Sequence, residues 1–265
     1  MSEKARSIIK QYGFRSPIEI DVEAIAALRG AFVREETLEG CDGRLIRIGS
    51  QGIIAVKTGM PEEGRKRFTI AHELGHFELH ALGIETIICV SKDFQAWAPR
   101  TNTRETEANQ FAAELLMPES MFKPLCQNDT PSLDLIEGLA KQFRTSLTAT
   151  ALRYITFSPY RCAIIQSKED KIEWSHCTES FGYRLENRTP LDLDCLATDF
   201  FKGNRIVSGI QPVVASSWIR NNKIGPLAFV KEQSWGFKTY GTVLSLLWLD
   251  TVFEKEEEAD EDDYY

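Results

Sequence analysis

Arg67-Phe68-Thr69-Ile70-Ala71-His72-Glu73-Leu74-Gly75-His76 sets two histidines four residues apart inside a stretch of helical character. Residues i and i+4 share one face of an α-helix, so both imidazoles can reach a single metal ion. Glu73 lies roughly 100° round the helix from His72. From there it can act as a base on a water instead of occupying the metal. This H-E-x-x-H spacing is the arrangement of zinc peptidases, whose metal brings the pKa of a water near neutrality. Five residues also match by chance in many chains, so the surroundings carry the decision.

The spacing predicts one helix over Pro61–Leu82. Pro61 suits a first turn, and Glu62 and Glu63 complement the positive end of the helix dipole. Phe68, Ala71, Gly75 and Leu79 are expected to pack inward, with Arg65, Lys66 and Arg67 in solvent. Three of the four histidines (His72, His76 and His80) fall in this helix. His80 lies about 12 Å along the axis from His72, too far to share a tetrahedral ion with it. Packing or hydrogen bonding is its expected role. A metzincin third ligand would need glycine at position 79 and histidine at 82, and Leu79 and Leu82 exclude that class.

The other common third ligand is a carboxylate from a later helix, and Asn102–Met117 supplies one. Thr101, Asn102 and Thr103 offer N-caps, and Pro118 ends the run. Ala108, Phe111, Ala112, Leu115 and Leu116 form its apolar face. Glu105 falls roughly 50° from the centre of that face, Glu107 roughly 110° and Glu114 roughly 130° on the other side. A carboxylate directed at a core needs a partner, and a metal is one. On this reading Glu107 is an edge residue and Glu114 a solvated one. Asn109, one turn after Glu105, is placed to hydrogen-bond a metal ligand.

With Glu105-Thr106-Glu107-Ala108-Asn109-Gln110-Phe111-Ala112-Ala113-Glu114-Leu115-Leu116-Met117-Pro118 following the histidine helix, the chain resembles the ImmA/IrrE family of metallopeptidases. The resemblance covers about residues 1–156. It implies one Zn²⁺ per chain held by His72, His76 and Glu105, with Glu73 as general base. It also implies a helix-turn-helix-type repressor protein as substrate, cut to derepress stress or anti-phage genes. Glu78 departs from the apolar residue common at that position in zinc peptidases. The layout further resembles CapP-like members linked to anti-phage (CBASS) signalling. That likeness implies a cysteine switch, with Cys89 taking the open metal position, and stimulation by single-stranded DNA. The alternative is a non-proteolytic DNA- or ligand-responsive regulator with a structural or idle zinc site. Four protein ligands would favour that version, three plus water catalysis.

Composition agrees with an enzyme of ordinary size. The 265 residues allow one large domain or two modest ones, and their net charge is −8. Glu254, Glu256, Glu257, Glu258, Asp260, Glu261, Asp262 and Asp263 account for most of that charge. Without them and Lys255, the body carries 30 basic and 31 acidic residues. Residues 254–265 read as an acidic disordered tail. The six cysteines (Cys41, Cys89, Cys126, Cys162, Cys177 and Cys195) form no C-x-x-C pair. Reduced thiols and a cytoplasmic location are expected. No run approaches the ~18 apolar residues of a membrane span, and no membrane partner is expected.

The fold class read from these patterns is α+β. Residues 1–156 form a mostly helical zincin-like peptidase domain with a small antiparallel sheet. In it, residues 16–30 are a short helix, strands cover Ala31–Leu38, Arg44–Gly49 and Gly52–Thr58, and residues 83–101 are a long connection. The segment 130–156 reads as a helix-turn-helix-like pair, in which Arg153 or Tyr154 is a candidate oxyanion stabiliser. Residues 157–253 carry a ββαβββ pattern, with a helix from Thr189-Pro190 to Gly203 and a turn at Asn221-Asn222. That order favours an antiparallel sheet covered by a helix, as in GAF or PAS sensor domains. Arg161, Lys202, Arg205, Trp218, Arg220, Lys223, Lys231, Trp235, Lys238 and Tyr240 interleave bases with aromatics there, a mixture able to bind single-stranded DNA, though residue by residue solvated charges and core aromatics account for it more simply. His176 and Cys177 lack a partner pair and read as packing residues.

Overall fold

The computed structural model describes residues 2–80, 84–89, 103–127, 130–220 and 228–249. It is an α+β structure that divides into two compact units, Met1–Pro124 with Gly138–Thr150, and Leu125–Glu137 with Ala151–Tyr265. Among the described residues no helix is long and apolar enough to cross a membrane. The acidic tail at 254–265, the Asn221-Asn222 turn and residues 90–102 lie outside the described residues.

In the first unit, α1 (Glu3–Tyr12) and α2 (Val22–Leu28) begin at side-chain caps and precede the first strand. Asp21 accepts from the N–H groups of Glu23 and Ala24 at 3.0 and 3.1 Å, satisfying two of the orphan donors of α2. The helix expected over 16–30 is thus shorter and follows a separate 3₁₀ turn at Pro17–Glu19. Strands β1 (Ala31–Glu36), β2 (Gly43–Ile48) and β3 (Gln51–Lys57) come next. Then follow α3 (Glu63–Leu79), β4 (Ile84–Cys89), α4 (Thr103–Leu116) and the single turn α5 (Glu119–Phe122). Helices α6 (Leu133–Phe143) and α7 (Leu147–Phe157) each contribute residues to both units.

The sheet order is β1-β3-β2-β4. The expected antiparallel sheet is corrected to a mixed one, because β1 pairs with β3 in parallel while β2 pairs antiparallel with both β3 and β4. The β2–β3 hairpin folds back so that β3 lies between β2 and β1. The long connection is corrected as well: Ile84–Cys89 is the edge strand β4, not loop. Leu45, Ile54, Val56, Phe68, Leu74, Phe77, Phe111 and Leu115 form the core between sheet and helices.

Every residue of α3 from Arg67 to Phe77 is buried, so this helix has no solvated face over its middle turns. Arg67, expected in solvent, donates from Nη2 to the carbonyl of Ile20 at 2.9 Å. Glu78 points away from the histidines and binds Arg29 through both oxygens, at 2.6 and 3.0 Å, with Lys4 at 3.2 Å. Burial alone would raise its carboxyl, but these cations hold it below its ordinary value. Glu114 is likewise corrected from solvated to buried. It receives Arg6 Nε at 3.1 Å and the Glu119 N–H at 3.3 Å, tying α1 to α4. Long basic side chains bridge from α1 in both cases, which no wheel of one helix reveals.

The second unit holds β5 (Cys162–Lys168), β6 (Lys171–Cys177), α8 (Leu196–Phe201), β7 (Gln211–Val214), β8 (Phe229–Phe237) and β9 (Thr242–Trp248). They make one antiparallel sheet in the order β6-β5-β9-β8-β7. Glu169 and Asp170 turn the first hairpin at φ 52° and 58°, the left-handed pair that matches strand twist. The helix expected from Pro190 to Gly203 is six residues long. Pro190 instead bridges to Lys171, and α8 starts where Glu232 of β8 caps it. The Glu232 carboxylate accepts from the N–H groups of Leu196 and Ala197 at 3.1 Å each, from Trp218 Nε1 at 2.7 Å and from Ser234 Oγ at 2.6 Å. On the opposite face of β8, Gln233 accepts from the Leu133 N–H at 2.6 Å and donates to Asp134 at 2.7 Å, which anchors the start of α6.

Burial pushes the Glu232 carboxyl above its ordinary value, against the pull of its four donors. A raised folded value means that the native state holds this proton longer than the unfolded chain, whose glutamates titrate at about 4.3. The contribution is full below that pH and is lost as pH rises through the folded value. Urea unfolding across a pH series should therefore show the wild type losing stability on this rise more steeply than Glu232→Gln, which cannot ionise. Parallel curves for the two proteins would contradict it.

Candidate metal centre

The site forms where α3 crosses α4. Gly75 permits the crossing: a Cβ there would sit 3.1 Å from Ala108 Cα, 3.2 Å from its carbonyl oxygen and 3.2 Å from Phe111 Cβ. The helix propensity lost at glycine is exchanged for close backbone approach. His72 and His76 project from α3 toward Glu105 in the first turn of α4. His72 Nε2 and His76 Nε2 are 3.0 Å apart, and Glu105 Oε2 is 3.1 Å from the first and 3.3 Å from the second. The imidazoles are fully enclosed and Glu105 is partly so.

Such convergence calls for a cation. Asn109 Oδ1 lies 2.8 Å from His72 Nδ1, so the ring proton sits on Nδ1 and leaves Nε2 as a bare lone pair. His76 Nδ1 is engaged similarly, 3.0 Å from His80 Nδ1. Two bare nitrogens and a carboxylate oxygen then face one another. Donor atoms bound tetrahedrally to zinc at about 2.0–2.1 Å lie about 3.3 Å apart, close to the separations here. Among the described residues His72, His76 and Glu105 are the one group of histidine, cysteine and acidic side chains arranged to hold a metal ion. Burial lowers the His76 pKa, favouring the neutral ligand form. For Glu105 burial alone would raise the carboxyl, but its place beside His72 and His76 holds it far below the usual carboxylate range.

Glu73 is fully buried beside this group, and the head of β2 closes over it. A Cβ on Gly43 would come 2.5 Å from Glu73 Oε1 and 2.6 Å from Thr69 Cγ2. Gly43 escaped the sequence reading. Only the sheet, not any spacing, brings it to the helix. Cys89 is the register partner of Gly43 across β2 and β4. His80 takes the hydrogen-bonding role expected of it, but Glu107, read as an edge residue, was undervalued: His80 Nε2 meets Glu107 Oε2 at 2.7 Å while its Nδ1 meets His76. The signal was present in the repeat of the i, i+4 interval, from His72 to His76 to His80.

Arg153 and Tyr154 are buried in the second unit, with the Arg153 guanidinium 4.6 Å over the Phe157 ring. Trp218 is no exposed stacking platform. It is buried and bonded to Glu232. His176 packs against Trp174, and burial lowers its pKa. Cys41, Cys126, Cys162, Cys177 and Cys195 are free thiols.

Residues 27–154 match the family model of a peptidase family described as the IrrE N-terminal-like domain. This segment is an ImmA/IrrE-type domain. Its fold is also similar to a solved structure titled Mycobacterium tuberculosis transcriptional regulator, with a TM-score of 0.57, 17% identity, and coverage of 92% of this chain and 74% of that one. At that identity the likeness concerns the fold alone. Comparison with curated proteins gives no match. The matched ImmA/IrrE segment contains the whole His72, His76 and Glu105 group, and peptidases of this family are typically metal-dependent.

Removing one of three ligands from a buried site should abolish tight metal binding. His72→Ala and Glu105→Ala are expected to copurify with less than about a tenth of the metal found in the wild type, measured by elemental analysis. Full metal content in Glu105→Ala would move the third ligand to another residue.

Proposed function

We propose that the chain is a zinc-dependent endopeptidase whose substrate is a helix-turn-helix-type repressor, cut to derepress stress or anti-phage genes. The observation that carries this reading is the pairing of a three-ligand group with a buried carboxylate, Glu73, one residue from the first ligand. Three protein ligands suit catalysis better than a structural role, which uses four. His72, His76 and Glu105 would hold the zinc, with Asn109 orienting His72. Bound there, zinc supplies Lewis acidity and a water of near-neutral pKa. Glu73 takes the proton of the attacking water and returns it to the leaving amine nitrogen. The lack of solvent around Glu73 strengthens both transfers.

The substrate backbone would add to the outer edge of β4, the terminal strand of its sheet. Register carries that edge to Gly43, against the catalytic carboxylate. The same register supports Cys89 as the latency switch, since its backbone is paired beside the residue that covers Glu73. Replacing Cys89 with serine would then raise basal cleavage. The second unit would act as the sensor, its five-stranded antiparallel sheet and covering helix being of the GAF or PAS kind. Single-stranded DNA is its proposed stimulus, met by exposed Lys238, Tyr240 and Arg220 in place of the buried Trp218.

A second reading, a ligand-responsive regulator without proteolysis, draws on a cavity of about 200 Å³ in the second unit, bordered by Tyr183, Arg184, Glu186, Trp218 and Arg220. One variant separates the two. Incubated with the candidate repressor, Glu73→Gln should keep its zinc and fold while cleavage drops by at least about 10²-fold, the scale of a lost general base. Cleavage at the wild-type rate would remove the peptidase mechanism. A wild type that binds zinc but cuts no repressor would favour the regulator.

A further inference from the structure

The family match and the metal group leave His80 and Glu107 without a role. We propose that they are positioning residues for the metal, a carboxylate–histidine relay that fixes the tautomer and ring orientation of His76. The proposal rests on the reading that His72, His76 and Glu105 hold zinc.

The relay is directed from its carboxylate end. Ionised Glu107 can only accept, so at 2.7 Å it calls for the His80 proton on Nε2. A neutral imidazole carries one N–H, which leaves His80 Nδ1 as an acceptor. His76 Nδ1, 3.0 Å away, must then be the donor. Its Nε2 is left bare and directed at His72 Nε2 and Glu105 Oε2. Each link follows from the one before.

The backbone holds His80 in place for this task. Helix α3 ends at Leu79, and His80 is extended at φ −121° and ψ 153°. Its N–H still closes the last turn on the His76 carbonyl at 3.0 Å. Arg47 Nη1 donates to the carbonyls of Phe77 at 2.6 Å and His80 at 3.0 Å. The backbone of His80 is therefore anchored at both its N–H and its carbonyl.

The two metal histidines are served differently. His72 rests on a neutral amide, Asn109, whereas His76 rests on a histidine backed by a carboxylate. A carboxylate behind a ligating imidazole raises its basicity, and partners of this kind are worth 10–100-fold in metal affinity. A plain surface ion pair between His80 and Glu107 would instead leave metal affinity alone. Because the Glu107 side chain is 56% exposed, it can be altered with little effect on the core.

The test is zinc affinity of the full chain, read by competition with a chromogenic chelator, together with the melting temperature of the zinc-free protein. Glu107→Ala is expected to weaken zinc binding about 10-fold or more, and His80→Ala about 10–100-fold. The zinc-free melting temperature of Glu107→Ala should stay at the wild-type value. His80→Asn should recover most of the affinity lost in His80→Ala, because its Oδ1 can accept from His76 Nδ1 as Asn109 does from His72. Nitrogen NMR of the histidine rings should show His76 protonated at Nδ1 in the wild type and a mixture of tautomers in Glu107→Ala. Affinities within about twofold of wild type for both alanine variants would overturn the relay, being below the range of such partners. A wild type that binds no zinc would overturn the metal reading and the relay with it. Loss of zinc in Glu105→Ala alone would uphold the first and reject the second.

Discussion

Two imidazole nitrogens and a carboxylate oxygen, held 3.0–3.3 Å apart inside the protein, are the constraint on which the first unit depends. Acceptors this close repel one another in a poorly solvated interior unless a cation sits among them. Bringing them together needs α3 and α4 in close contact, which needs the missing side chain at Gly75. It also needs a rigid α3. Burial on all sides of Arg67–Phe77 supplies that, with Glu78 clamped by Arg29 and Lys4 at the helix's outer side. Sheet, α1 and α2 all serve to hold one helix still.

The second unit meets a similar difficulty by another route. Glu232 is as buried as the two histidines of the metal group, yet its partners are four donors from its own unit. A carboxylate so satisfied organises structure: it caps α8, fixes Trp218 and joins β8 to the helix. Glu105, by contrast, faces two nitrogens that hydrogen bonding to Asn109 and His80 leaves as acceptors. Buried acids surrounded by donors build a core, and buried acids surrounded by acceptors make a binding site.

The chemistry was legible because it is written at one helical interval. His72, Glu73 and His76 need no partner in space to be recognised, and Glu105 with Asn109 repeats the same logic one helix later. The positions of β1, β2 and β3, the β5–β6 hairpin and the ββαβββ order were also legible, since period-two patterns and turn residues are local. Errors arose where a long side chain reached across elements. Arg67 and Glu114 were misjudged because burial of a polar group depends on donors and acceptors contributed from elsewhere. Residues 84–89 were read as loop because a short edge strand has little pattern of its own and gains its identity from pairing with β2.

The sequence by itself determined the donor groups of the candidate metal centre, the helices that carry them and the α+β character, all of which follow from residue type and local spacing. Only the tertiary structure decided that β1 runs parallel to β3, that Gly43 closes over Glu73, and that His80 links His76 to Glu107. The physical reason is that hydrogen-bond direction and backbone clearance are properties of groups brought together from distant positions. Local preference sets which groups are available, and packing sets which of them meet.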